Sequence, residues 1–88
     1  MSRAHVVVVN DDPVQLRQMA GILMGAGHEV SSFLDAGDAL AGLAGRPTVS
    51  LFVVDLHMPG IDGWKLCRLL RSPEFARFNE TPILVVSA

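Results

Sequence analysis

The sequence predicts an α/β fold: a doubly wound parallel sheet with helices on both faces. Three observations carry that expectation. Two short, unbroken apolar runs, Val6-Val7-Val8-Val9 and Leu51-Phe52-Val53-Val54, are rich in β-branched residues. They have the pattern of strands buried on both faces, not the alternation of half-exposed ones. Each run ends in acid, Asp11 and Asp12 after the first and Asp55 after the second, and open α/β sheets keep their chemistry at the carboxyl ends of strands. The intervening segments are long enough for the helical crossovers that parallel strands require.

Taken in order, His5 through Asn10 reads as the first strand. Asp12-Pro13 starts a helix, with an acid at the N-cap and proline at the first helical position, where its missing N–H costs nothing. Leu16, Met19, Ala20, Leu23 and Ala26 recur at helical spacing, so this helix should run from about Pro13 to Ala26, with Gly25 and Gly27 placed to end it. Glu29-Val30-Ser31-Ser32-Phe33 is a more polar strand suited to a sheet edge. Asp35 caps a short helix, Ala36 through Ala44, whose glycines at 37, 42 and 45 lower its intrinsic stability. Arg46-Pro47 breaks the chain before the Asp55 strand. Pro59-Gly60 then fixes a turn, and Asp62 caps a helix that starts near Gly63 and carries Trp64, Leu66, Cys67, Leu69 and Leu70. Ser72-Pro73 ends it. Residues 74 to 81 read as a polar connector with room for a helical turn, and Pro82 through Ser87 as the last strand. The order is β-α-β-α-β-α-β, with no internal repeat or linker.

Composition narrows the class. The chain has 88 residues, half of them apolar, which suits one domain with a packed core. Seven basic against nine acidic residues leave a formal net charge of −2, so no basic footprint for nucleic acid exists. No apolar run approaches the length of a membrane span, and the N-terminus lacks a signal-peptide pattern. A cytoplasmic location is the expectation. Cys67 is the only cysteine, so an intrachain disulfide is excluded and a small buried side chain is expected. His5 and His28 begin strands and read as surface residues.

Three strand ends point to one cleft: Asp11 and Asp12, then Asp55, then Ser87. Converging carboxylates repel unless a positive charge sits among them. A hard divalent cation such as Mg²⁺, which takes one or two carboxylates and keeps several waters, suits the arrangement. With the repulsion neutralised, one carboxylate can act as nucleophile towards a phosphoryl group, forming an aspartyl phosphate.

The motifs Val8-Val9-Asn10-Asp11-Asp12-Pro13, Asp55-Leu56-His57-Met58-Pro59-Gly60-Ile61-Asp62-Gly63 and Ser87-Ala88 together resemble the receiver domain of two-component response regulators. They match its acidic loop, its phosphoacceptor loop and its switch hydroxyl with the adjacent small residue. The resemblance covers residues 1–88 as a single, incomplete receiver domain and implies a flavodoxin-like fold lacking the last α-β-α portion. By that resemblance Asp55 is the phosphoacceptor, and Ser87 hydrogen-bonds the phosphoryl group. Asp11, Asp55 and the His57 main-chain carbonyl bind Mg²⁺, with Asn10 contributing through a water. The implied partner is a sensor histidine kinase or phosphotransfer protein, and the implied activity is phosphoryl acceptance rather than enzymatic turnover.

Two departures from the family pattern shape the expectations. Asn10 stands at the first acidic position and removes a charge, so Mg²⁺ is expected to bind more weakly. The family's fifth strand, two further helices, C-terminal lysine and switch aromatic have no counterpart; the only lysine is Lys65. An unpaired fourth-strand edge predicts that another chain covers it, as a homodimer or domain-swapped assembly. The alternative function is a phosphorylation-deficient interaction module or fragment that binds a kinase or regulator. A Mg²⁺-dependent phosphohydrolase fits less well, since its usual second acid two residues after the nucleophile is replaced by His57.

Overall fold

The computed structural model describes residues 4–46, 48–56 and 62–86. Its elements are β1 (His5–Val9), α1 (Pro13–Gly25), β2 (Glu29–Phe33), α2 (Ala36–Leu43), β3 (Leu51–Asp55), α3 (Gly63–Leu70), a 3-10 helix (Pro73–Phe78) and β4 (Ile83–Val86). All strand pairings are parallel, in the order β2-β1-β3-β4. In β1 and β3 every residue after the first is buried, whereas β2 and β4 are only partly covered. The two unbroken apolar runs are therefore the two central strands, as burial on both faces demands.

Strand alternation divides the core in two. Val7, Val9, Phe52 and Val54 face α2, α3 and the 3-10 helix, meeting Ala39, Leu43, Leu66, Leu70 and Phe78. Val6, Val8 and Val53 face the other way, against Leu16, Met19 and Leu23 of α1. Beside them, Met19, Ile22, Leu23, Val53 and Leu84 line an open apolar groove. Among the described residues, no helix is long and apolar enough to cross a membrane.

All three expected acidic caps are present. Asp12 Oδ1 accepts from the Val14 N–H at 2.9 Å, Asp35 Oδ1 from the Asp38 N–H at 2.8 Å and Asp62 Oδ1 from the Lys65 N–H at 2.8 Å. Each partners an N–H that the first helical turn leaves without an intrahelical acceptor.

Residues 74–81 include the helical turn that the sequence left room for, in the 3-10 helix Pro73–Phe78. They do more than connect: Phe78 is fully buried, with its ring edge-on to Phe52 at a centroid distance of 5.6 Å. Arg77 gives Nη2–H to Leu43 O and Nε–H to Arg46 O, both at 2.7 Å, and so satisfies carbonyls at the end of α2. Asn79 Nδ2 does the same for Leu70 O at 2.7 Å, at the end of α3. Polar composition here marks a clamp on two helix ends, not solvation.

His5 is also a correction, since its side chain is only 12% exposed. Arg46 Nη1 lies 3.3 Å from His5 Nδ1, which assigns the ring proton to Nε2, and Nε2 is 3.1 Å from Ser31 Oγ. Arg46 Nη2 donates to the same hydroxyl at 2.9 Å, and Glu29 Oε2 stands 3.9 Å from Nδ1. A hydroxyl, an imidazole and a carboxylate in line suggest a catalytic triad. With its proton on Nε2, however, the ring cannot take one from Ser31, so the cluster ties β1, β2 and the end of α2 together. Cys67 is half-buried beside the core. Burial pushes its thiol above the usual range, with nearby Arg71 opposing, so it is not a reactive thiolate.

Helix α3 approaches β3 so closely that a Cβ on Gly63 would collide with the Asp55 carbonyl oxygen and come within 2.6 Å of Leu56 Cα. Gly63→Ala should therefore destabilise the fold by about 3 kcal/mol, as overpacking against backbone does. Gly21→Ala, on the exposed interior of α1 with nothing within 4 Å, should stabilise it by about 0.5–1 kcal/mol. Urea unfolding of the two variants beside wild type checks both signs.

Burial, then the Arg46 charge, lowers the His5 pKa from its ordinary 6.5, against the opposing pull of Glu29. The unfolded chain therefore binds the proton more readily. This contribution to stability is complete above about pH 6.5 and is lost as pH falls through the lower folded value. The urea midpoint should fall between pH 7.5 and 5.5, and His5→Gln should flatten that slope.

Candidate functional site

The crevice arises from topology. From β1 the chain runs outward through α1 to β2, then crosses to the opposite face through α2 and returns to β3. Helices α1 and α3, which follow these two neighbouring strands, lie on opposite faces of the sheet, so the chain turns opposite ways beyond the carboxyl ends of β1 and β3. That is the switch point where open α/β sheets bind their ligands.

Asn10 and Asp55 lie at these two strand ends. Val9 of β1 pairs with Val54 of β3, and continuing that register by one residue sets Asn10 beside Asp55, about 4.8 Å away across the strand spacing. Asp55 is 8% exposed and pairs on its other side with Val86 of β4. The Leu56 N–H donates to Val86 O at 3.1 Å, and the Gly63 N–H to Leu56 O at 3.2 Å. The main chain around Asp55 is thus held by β1, β4 and the start of α3.

In the β1–α1 loop the structure separates the roles of three consecutive polar residues. Asp12 is committed to capping α1 through Val14 and Gln15. Asp11 is exposed in the loop. Asn10 is 1% exposed: its Oδ1 accepts from the Asp12 N–H at 2.9 Å and its Nδ2 donates to Gln15 Oε1 at 3.2 Å. Sequence reasoning offered Asn10 only a water-mediated role and did not single out Gln15. The spacing of five residues that places Gln15 over Asn10, one helical turn beyond the loop, was the available signal. It also took Gly63 only as a helix start. Its neighbour two positions on, Lys65, is exposed on α3.

His57 and Ser87 lie outside the described residues. Among the described residues, no cluster of three or more histidine, cysteine or acidic side chains could hold a metal. The carboxylates closest in sequence to the two strand ends are Asp11, in the loop after β1, and Asp55, the last residue of β3. Oxygen donors in that number fit a hard cation that retains most of its waters, such as Mg²⁺, and not a thiolate- or imidazole-bound transition metal.

The pattern of the response regulator receiver domain matches residues 6–88. Response regulator PleD of Caulobacter vibrioides is 32% identical over 97% of this chain, which spans 18% of that protein's length. Among solved structures, the chemotaxis protein CheY4 of Vibrio cholerae superposes with a TM-score of 0.88 at 26% identity, over 96% of this chain and 68% of that one. A sensor protein from Polaromonas sp. JS666 superposes at 0.87 with 33% identity, over 99% of this chain and 67% of that one. With the strand order β2-β1-β3-β4 and its switch point in place, this match over nearly the whole chain shows that the protein belongs to the response regulator receiver domain family.

Proposed function

We propose that this chain is a phosphoacceptor module of two-component signalling, in which Asp55 takes a phosphoryl group from the phosphohistidine of a sensor histidine kinase or phosphotransfer protein. The observation that carries this reading is a carboxylate only 8% exposed at the end of a central strand, at the topological switch point. An acid at that position stands where open α/β sheets place their chemistry.

In the transfer, an Asp55 carboxylate oxygen forms the new bond to phosphorus while the bond from phosphorus to the histidine nitrogen breaks. The electron pair returns to the imidazole, which takes up a proton. Asp11, Asp55 and the His57 main-chain carbonyl would hold Mg²⁺, with Asn10 reached through a water. When bound, the cation neutralises the repulsion between these carboxylates and the incoming phosphoryl oxygens. Ser87 supplies a hydroxyl to a phosphoryl oxygen. The burial of Asp55 limits the access of water to the acyl phosphate, and its fixed main chain keeps the nucleophile in position.

Intact-mass spectrometry after incubation with Mg²⁺ and either a cognate kinase or a small phosphodonor should show a gain of one phosphoryl group, absent in Asp55→Asn. Asp11→Asn should raise the Mg²⁺ concentration required roughly tenfold or more. A folded sample that gains nothing from either donor overturns the reading in favour of an interaction module that acts by occupying a kinase or regulator.

Exposed Leu84 and Val85 on β4, 54% and 36% accessible, support the expected homodimer or domain-swapped assembly. Light scattering of the 9.4 kDa chain at micromolar concentration should return a multiple of that mass, and a monomer mass counts against assembly.

A further inference from the structure

Asn10 joins three parts of the fold through one residue. Its main-chain N–H donates to Phe33 O of β2 at 3.1 Å. Its Oδ1 holds the Asp12 N–H at 2.9 Å, and its Nδ2 reaches Gln15 Oε1 at 3.2 Å and Met19 Sδ at 3.8 Å, both on α1. The loop that carries Asp11 is therefore fixed at both ends by a side chain that is 1% exposed. The amide provides an acceptor on one side and a donor on the other. A carboxylate keeps the acceptor but has no N–H for Gln15, and it adds a buried negative charge one strand away from Asp55.

We propose that Asn10 is a positioning residue, a neutral clasp that holds Asp11 at the cleft when no cation is present. The consequence for cation binding rests on the reading of Asp11 and Asp55 as Mg²⁺ ligands; the clasp itself does not. Holding the buried position neutral leaves the empty cleft with the charge of two carboxylates. With two charges in place of three, less repulsion is left for a cation to relieve, and cation affinity is correspondingly lower. An acid at position 10 reverses the balance, with a less stable empty protein and tighter binding.

The test compares wild type with Asn10→Asp, Asn10→Ala and Gln15→Ala in three measurements: thermal unfolding in EDTA, Mg²⁺ titration by calorimetry, and exchange of the Asp12 amide proton. Asn10→Asp should melt about 4–8 °C below wild type in EDTA and bind Mg²⁺ roughly tenfold more tightly. Asn10→Ala should bind it roughly tenfold more weakly and exchange the Asp12 amide at least tenfold faster. Gln15→Ala, altering an exposed side chain, should weaken Mg²⁺ binding severalfold while the Asp12 amide stays protected, which keeps the test open if Asn10→Ala does not fold. A merely structural role lowers stability in the position-10 variants without moving their affinities in opposite directions. Equal affinities across the set, or an Asn10→Asp protein as stable as wild type in EDTA, overturn the proposal. If no variant binds Mg²⁺, the phosphoacceptor reading fails, and the clasp is then decided by whether Asp12 exchange rises in Asn10→Ala alone.

Discussion

Two central strands covered on both faces leave the chain nowhere to place polar side chains except at their ends. In β1 and β3 the residues from Val6 to Val9 and from Phe52 to Val54 are almost wholly removed from water. A charge within either run would lose its hydration without finding a partner. Polar chemistry is thereby displaced to the two rims of the sheet. The amino-terminal rim holds His5 and Arg46, which reach Ser31 within the edge strand β2, and the carboxyl-terminal rim holds Asn10, Asp11 and Asp55.

The two rims solve different problems. At the amino-terminal rim every group serves cohesion: Arg46 supplies the imidazole and the hydroxyl with hydrogen bonds and, through its main-chain carbonyl, accepts one from Arg77. At the carboxyl-terminal rim α1 and α3 lie on opposite faces, Asp11 is exposed and Asp55 is buried. Asn10 sits between these regimes. It is as buried as any core residue, it is uncharged, and its hydrogen bonds serve the loop that presents Asp11.

Closure of the other face depends on small and aromatic residues acting together. Gly63 lets α3 meet the main chain of β3 at van der Waals range. Phe78 fills the space beneath, against Phe52, while Arg77 and Asn79 satisfy helix-terminal carbonyls. Asp55 therefore stands on a backbone confined from three sides. The phosphoacceptor role proposed for Asp55 is served by that confinement, because reacting groups lose efficiency when they are displaced by even about 1 Å.

By itself the sequence determined what local physics controls. Unbroken β-branched runs required doubly buried strands. Asp12, Asp35 and Asp62 required helix starts, because a short carboxylate before a helical run satisfies N–H groups that nothing else can. Acids at strand ends required a cleft at the carboxyl rim. The adjacency of Asn10 and Asp55 followed from those elements once their parallel order was known. Only the tertiary structure decided the rest. It made Asn10 a buried clasp through Gln15 and Met19, drew His5 into a network with Arg46, and turned residues 74–81 into a clamp on α2 and α3. The physical reason is shared: each of these roles depends on partners supplied by another element, such as Arg46 for His5 or Leu43 for Arg77, 41 and 34 residues away. No periodicity or local propensity encodes which distant carbonyl a guanidinium will find.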